Sequence, residues 1–158
     1  MVNVLIDVLV LISGVTFYAL LCIVYLLRAF YQDRVEIMMA PVFSLLLIPF
    51  SALFIASFLF GSDIYRLMAL VPMLIYLIYD LWYRLLSKKK PVHHPKKWPL
   101  GLIVYLIFLQ AAAISLNWYG FFVSQFYGRV LIACYFIMLG FFGFYQARYN
   151  RRMKDMSG

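Results

Sequence analysis

Long hydrophobic runs separated by short polar segments are the main pattern in this sequence. Five of the runs are long enough for a transmembrane helix, which takes about 20 residues. They cover residues 4–29, 37–60, 64–86, 99–116 and 121–147. No basic segment precedes the first run and no small-residue cleavage site follows it, so we expect a retained helix rather than a signal peptide. Only the loop at 87–98 and the tail at 148–158 are clearly hydrophilic.

Turn-forming and helix-breaking residues mark the limits of these runs. Gly-Ser-Asp at 61–63 predicts a tight turn between the second and third helices, and Asn-Trp-Tyr-Gly at 117–120 predicts another between the fourth and fifth. Pro41 and Pro49 remove backbone donors inside the second run and predict a kink there. Pro99 falls in the first turn of the fourth helix, where a missing N–H does no harm.

The composition places the chain in a membrane. Of its 158 residues, 66% are hydrophobic and 13% are charged, whereas a soluble domain has about 45–50% and about 25%. Five helices and their connections use nearly the whole length, which leaves no room for a separate soluble domain. The sequence therefore predicts an all-α, polytopic helical bundle that forms a single transmembrane domain.

The basic residues predict how the bundle is oriented. Twelve of the 14 lysines and arginines fall in the first connector, in or beside the loop at 87–98, or in the tail. Because short cytoplasmic loops are enriched in Lys and Arg, we expect the N-terminus outside and the C-terminus in the cytoplasm. A three-helix alternative, with the second and third runs as a re-entrant hairpin, is disfavoured because both runs exceed 20 residues. We expect a multi-pass protein of a prokaryotic plasma membrane.

Arg129 is the most conspicuous polar residue inside a predicted span. It falls about 12 Å inside the outer end of the fifth helix, counted at 1.5 Å per residue. Gln125 precedes it by one turn, and small residues continue the same stripe, which is typical of a helix turned towards other helices. The stripe consists of Gln125, Arg129, Ala133, Phe136, Gly140 and Gly143.

Several other polar residues share the outer leaflet with Arg129. Because a charge within a bilayer is costly, we expect these groups to collect in one outward-opening cluster. The predicted cluster consists of Asp7, Arg66, Asn117, Gln125 and Arg129. Two interpretations stay open: a structural network that holds the helices together or lets long side chains reach the interface, and a binding site for a substrate, an ion or a lipid headgroup.

Two further polar residues are secondary candidates. Asp80 lies near the inner end of a stripe on the third helix, where a salt bridge is favoured over a proton relay. That stripe consists of Arg66, Ala69, Met73, Tyr76, Asp80 and Tyr83. Gln110 lies near mid-depth beside three alanines, and we expect its amide to form a hydrogen bond across a helix interface.

No motif for a cofactor, a metal or catalysis is found in the sequence. Cys22 and Cys134 fall within spans as small apolar side chains, and His93-His94 lies in the basic loop without other ligands nearby. Topology accounts for the basic residues, so nucleic acid is not an expected partner. Anionic lipid headgroups are possible partners of the loop lysines. These are Lys88, Lys89, Lys90, Lys96 and Lys97.

Three classes of function are compatible with this pattern. The favoured one is a small non-catalytic membrane protein that acts as a subunit or a self-associating component of a complex, with a protein partner or a second copy. The alternative is a small oligomeric transporter or channel with the polar cluster at its outer mouth. A third is an intramembrane lipid-modifying enzyme in which Arg66 and Arg129 hold a phosphate.

Overall fold

Five helices make up nearly all of the described chain. A computed structural model describes residues 2–31, 34–60, 64–83 and 100–155. The helices are α1 (Val2–Tyr31), α2 (Arg34–Leu59), α3 (Ile64–Leu81), α4 (Leu100–Val123) and α5 (Gln125–Asp155). Each is long and apolar enough to cross a membrane, which confirms the all-α fold with five spans. The loop at 87–98, with its lysines and histidines, and the turn at 61–63 lie outside the described residues.

The helices form a ring in which each packs against its neighbours in sequence, and α1 closes the ring against α5. Successive helices reverse direction, so α1, α3 and α5 begin at one end of the bundle. We call this the N-terminal end, and the other, where these three helices finish, the C-terminal end. The distribution of basic residues predicts that the N-terminal end faces outwards.

Aromatic side chains from different helices meet in the centre of the bundle. The ring centroid of Phe17 on α1 lies 6.4 Å from the ring centroid of Phe43 on α2 and 5.7 Å from that of Tyr76 on α3. Both pairs pack edge to face. The hydroxyl of Tyr76 is 2.9 Å from that of Tyr105 on α4. The predicted stripe on α3 is buried along its whole length, from Arg66 to Tyr83. The 3.6-residue period therefore identified the inward face of α3 correctly.

The connection between α4 and α5 differs from the prediction. The turn-forming segment 117–120 lies inside α4, and the only non-helical residue between the two helices is Ser124. The Ser124 hydroxyl oxygen accepts a hydrogen bond from the Tyr127 amide at 3.2 Å, and thereby caps the first turn of α5. The reversal occurs four to seven residues later than the turn propensities indicated.

Two glycines let the ends of this hairpin approach closely. A Cβ added to Gly120 would lie 3.2 Å from the Cα of Gly128 and 2.7 Å from a methyl carbon of Leu131. Glycine at position 120 is therefore explained by packing of α4 on α5, not by a turn. This contact overrides the local preference of the sequence, because the last turn of α4 and the first turn of α5 gain van der Waals contact between their backbones.

Candidate functional site

A buried ion pair joins α1 and α3 at the N-terminal end. Arg66 is the third residue of α3, and its side chain is only 2% exposed. Its Nη2 lies 2.6 Å from Oδ1 of Asp7, and its Nε donates to the same oxygen at 2.9 Å. Asp7 is 23% exposed, so the carboxylate is the part of the pair nearer to the surface. The structure thus brings together two members of the predicted cluster.

Tyr119 and Asn3 complete the surroundings of this ion pair. The Tyr119 hydroxyl donates to Oδ1 of Asp7 and lies 3.2 Å from Nε of Arg66. Asn3 contributes two acceptors: its side-chain oxygen 3.5 Å from Nη1 of Arg66 and its carbonyl oxygen 3.4 Å from Nη2. Asn3, Asp7, Arg66 and Tyr119 are called the N-terminal cluster below. It connects α1, α3 and α4, and every nitrogen of the guanidinium has an acceptor within it.

Asn117 makes a separate contact deeper in the bundle. Its side-chain oxygen accepts a hydrogen bond from the Tyr18 hydroxyl at 2.9 Å, and that hydroxyl also lies 3.0 Å from the carbonyl oxygen of Ala113. The Tyr18 ring packs edge to face on Tyr135, with centroids 6.1 Å apart. Asn117 therefore links α4 to α1 and does not join the ion pair.

Gln125 and Arg129 are not part of the N-terminal cluster. Both are exposed on α5, and neither forms a hydrogen bond or ion pair with any residue that the structure describes. Because α5 begins at Gln125 rather than at 121, Arg129 lies about 6 Å from the start of its helix instead of about 12 Å. The later reversal of the chain corrects the predicted depth and places Arg129 closer to the start of its helix, at the N-terminal end of the bundle.

The secondary candidates occupy two different environments. Oε1 of Gln110 accepts a hydrogen bond from the Tyr135 hydroxyl at 2.9 Å, as expected of an amide between α4 and α5. Asp80 is 1% exposed at the C-terminal end of α3, and Arg28 is buried at the same end of α1. The two helices therefore carry opposite charges at both ends: Asp7 and Arg28 on α1, Arg66 and Asp80 on α3.

Two members of the N-terminal cluster were not predicted. Asn3 stands four residues before Asp7, so it lies on the same helix face, and this spacing was a usable signal. Tyr119 had no comparable signal, because it is one of 13 tyrosines and was assigned to a turn. Its role depends on α4 continuing past Asn117, which no local pattern indicated.

The N-terminal cluster joins residues of α1, α3 and α4 through hydrogen bonds and one ion pair. One carboxylate, one guanidinium, one phenol and one amide satisfy one another, and in a membrane interior such hydrogen bonds link helices that have no hydrophobic driving force to associate. A ligand at Arg66 would have to displace Asp7 or Asn3. Comparison with known proteins finds no matching family model, no similar curated protein and no similar solved structure.

Proposed function

We propose that this protein is a non-catalytic subunit of a membrane complex and that it assembles through one face of α5. The observation that carries the proposal is the exposure of the whole stripe from Gln125 to Gly143. The sequence indicated that these residues face other helices, yet none of the five described helices covers them. They are called the exposed α5 face: Gln125, Arg129, Ala133, Phe136, Gly140 and Gly143.

The chemistry of this face suits another helix better than lipid. An added Cβ at Gly140 or Gly143 would have nothing within 4 Å, so a neighbouring backbone could come close at both positions. Small residues on a helix permit such close packing, and an exposed glutamine offers a hydrogen bond across the interface. In addition, α5 has the smallest buried share of the five spans, 17%. A face of this kind favours a protein partner, either another subunit or a second copy.

Cysteine crosslinking in native membranes tests this proposal. In a background with Cys22→Ala and Cys134→Ala, Ala133→Cys carrying a thiol-linked benzophenone should form a crosslinked product on illumination, at twice the mass for a second copy or at another mass for a different subunit. Ala52→Cys, exposed on α2, is the matched control and should stay monomeric. Absence of a product from position 133, or equal products from both positions, would contradict assembly through α5.

A transporter is the second candidate, and the buried charges at both ends of α3 favour it. Arg66 and Asp80 lie on the inward stripe of one helix, with Met73 and Tyr76 between them. Ionisable groups within a membrane domain often mark a pathway. However, the Arg66 donors already have acceptors in the N-terminal cluster. This arrangement is compatible with a permanent structural contact as well as with the closed conformation of a transport pathway.

Water accessibility at the middle of the bundle separates the two candidates. Met73 is 0% exposed and lies between the two charged ends of α3. In the same cysteine-free background, Met73→Cys should not react with a membrane-impermeant thiol reagent if the protein is a subunit with a packed interior. Labelling on the timescale of Ser62→Cys, in the α2–α3 connection that is predicted to face outwards, would favour transport.

The lipid-modifying enzyme receives no support from the positions of its two arginines. That mechanism needs Arg66 and Arg129 to hold one phosphate between them. Arg66 directs its donors into the bundle towards Asp7 and Asn3, whereas Arg129 is exposed on α5.

A further inference from the structure

A groove runs along the surface between α1 and α5 towards the C-terminal end. It has a volume of about 370 Å³ and a lining that is almost wholly apolar. The lining residues are Leu26, Ile137, Gly140, Phe141 and Phe144. Gly140 places no side chain in the groove, and the space beside it is open: a Cβ added there would have nothing within 4 Å. Its walls are therefore suited to a flexible hydrocarbon chain lying along α5.

Two arginines stand at the end of this groove. A second cavity of about 360 Å³ adjoins it through Phe144 and is lined also by Ala147, Arg148 and Arg151. The guanidinium carbon of Arg148 lies 4.2 Å from the ring centroid of Phe30 on α1, which holds the charge over the gap between the helices. Among the described side chains, neither arginine has a carboxylate partner.

The distance along α5 between the groove and the two arginines matches the hydrocarbon thickness of one leaflet. From Ile137 to Arg148 the helix rises about 16 Å, and half of a hydrocarbon core is about 15 Å. An acyl chain in the groove therefore brings its headgroup level with the arginines. Guanidinium groups bind phosphate oxygens with paired hydrogen bonds, and basic pockets beside transmembrane helices favour anionic headgroups.

We propose that the groove between α1 and α5 is a binding site for one anionic phospholipid, with an acyl chain over Gly140 and the phosphate between Arg148 and Arg151. The site lies in the leaflet at the C-terminal end of the bundle. The site shares Gly140 with the exposed α5 face, so a partner helix seated over Gly140 and the acyl chain exclude each other there. The lipid site does not depend on assembly through that face, because all of its residues come from one chain.

Native mass spectrometry of the purified chain in mild detergent tests this site. We expect one molecule of added phosphatidylglycerol to be retained in preference to phosphatidylcholine with the same acyl chains. Arg148→Gln and Arg151→Gln should each weaken phosphatidylglycerol retention by about fivefold, the factor expected for one basic residue near an anionic headgroup. Arg129→Gln, on the same helix at the other end, is the matched control and should keep wild-type retention.

A second pair of variants tests the groove itself. Gly140→Leu adds a side chain inside the groove and should displace the lipid while both arginines are kept. Gly143→Leu makes the same change three residues away, outside the lining, and should not. Equal retention of the two lipids, full retention by Gly140→Leu, or full retention after loss of both arginines would each overturn the proposal. Loss with the arginine variants alone would indicate a headgroup contact without a groove site, which also overturns it.

Discussion

Arg66 shows how one charged residue can stabilise a membrane bundle. Its guanidinium is buried where three helices meet, and its donors reach acceptors on Asp7, Asn3 and Tyr119. Burying a charge is costly unless it is paired and hydrogen-bonded, and here both conditions are met. The net stabilisation by the complete cluster is small compared with the cost of leaving one member without its partners.

The first prediction follows from this asymmetry. Arg66→Met removes the cation and leaves the Asp7 carboxylate beside Tyr119 in an apolar environment. Removal of one partner of a buried ion pair costs about 3–5 kcal/mol, and the partial exposure of Asp7 favours the lower end. Thermal unfolding in detergent, followed by the loss of monodisperse protein, should show a clear decrease in midpoint.

Two further variants make this prediction specific. Arg129→Met removes an exposed arginine from α5 and should leave the unfolding midpoint nearly unchanged. The double variant Asp7→Leu with Arg66→Met should recover much of the lost stability, because no uncompensated charge remains. Equal effects of Arg66→Met and Arg129→Met would show that the N-terminal cluster does not stabilise the bundle.

For individual residues, the sequence predicted which polar side chains share one end of the bundle, but it did not predict which of them contact each other. Asp7 and Arg66 were predicted to share a leaflet, and they form an ion pair. Arg129 was assigned to the same cluster because it shares that end of the bundle, but its side chain is exposed on the outer surface of α5. Periodicity shows which face of a helix a residue occupies, but it does not show which neighbouring helix that face meets.

Among the helices, α4 and α5 depend most on close backbone contact. Their hairpin turns over a single residue, Ser124, and Gly120 then lies directly against Gly128. A side chain at either position would meet atoms of the facing helix within 3.4 Å. The hairpin therefore determines the position of Tyr119, whose hydroxyl donates to Asp7.

The second prediction concerns Gly120→Ala. The added methyl carbon would lie 3.2 Å from the Gly128 backbone, which cannot move as a side chain can. Overpacking of this kind typically costs about 1–3 kcal/mol, so the unfolding midpoint should fall. The matched control, measured on the monomeric chain in detergent, is Gly143→Ala, which adds a methyl group in open space and should raise helix stability slightly, since alanine favours a helix by up to about 1 kcal/mol. Destabilisation of equal size in both variants would contradict the close approach.

The number of helices could be predicted from the sequence, but the α4–α5 boundary could not. Four stretches between the runs contain residues that end helices, and the runs themselves are too apolar for any other environment. The segment 117–120 reads as a turn by the same criteria, yet it is helical. The difference arises because the two glycines favour packing between helices, and that preference appears only once α5 is in place.

The whole molecule has two chemically different ends. The N-terminal end contains the N-terminal cluster, whose charges are few and largely neutralise one another. The C-terminal end carries Arg148 and Arg151, and by sequence the long basic loop belongs to it as well, since that loop connects the end of α3 to the start of α4. This imbalance is the physical basis of the predicted orientation.

The third prediction is that orientation. In the cysteine-free background, Ser62→Cys should react with an impermeant maleimide added outside intact cells, because the α2–α3 connection is expected on the trans side. Lys90→Cys, in the α3–α4 loop, should react only after the membrane is permeabilised. Labelling of both positions from the same side would contradict five alternating spans, whereas exchange of the two results would reverse the orientation and leave the fold intact.

Reducing the charge of the loop tests whether the basic residues cause this orientation. If they do, replacing the five loop lysines with glutamine in a chain that carries His93→Cys should produce a mixed population. A fraction of these chains should then be labelled at position 93 from outside. The remaining arginines near α1, α3 and α5 oppose complete inversion, so partial rather than full labelling is expected. Unchanged protection of position 93 would show that the five loop lysines are not needed for this orientation.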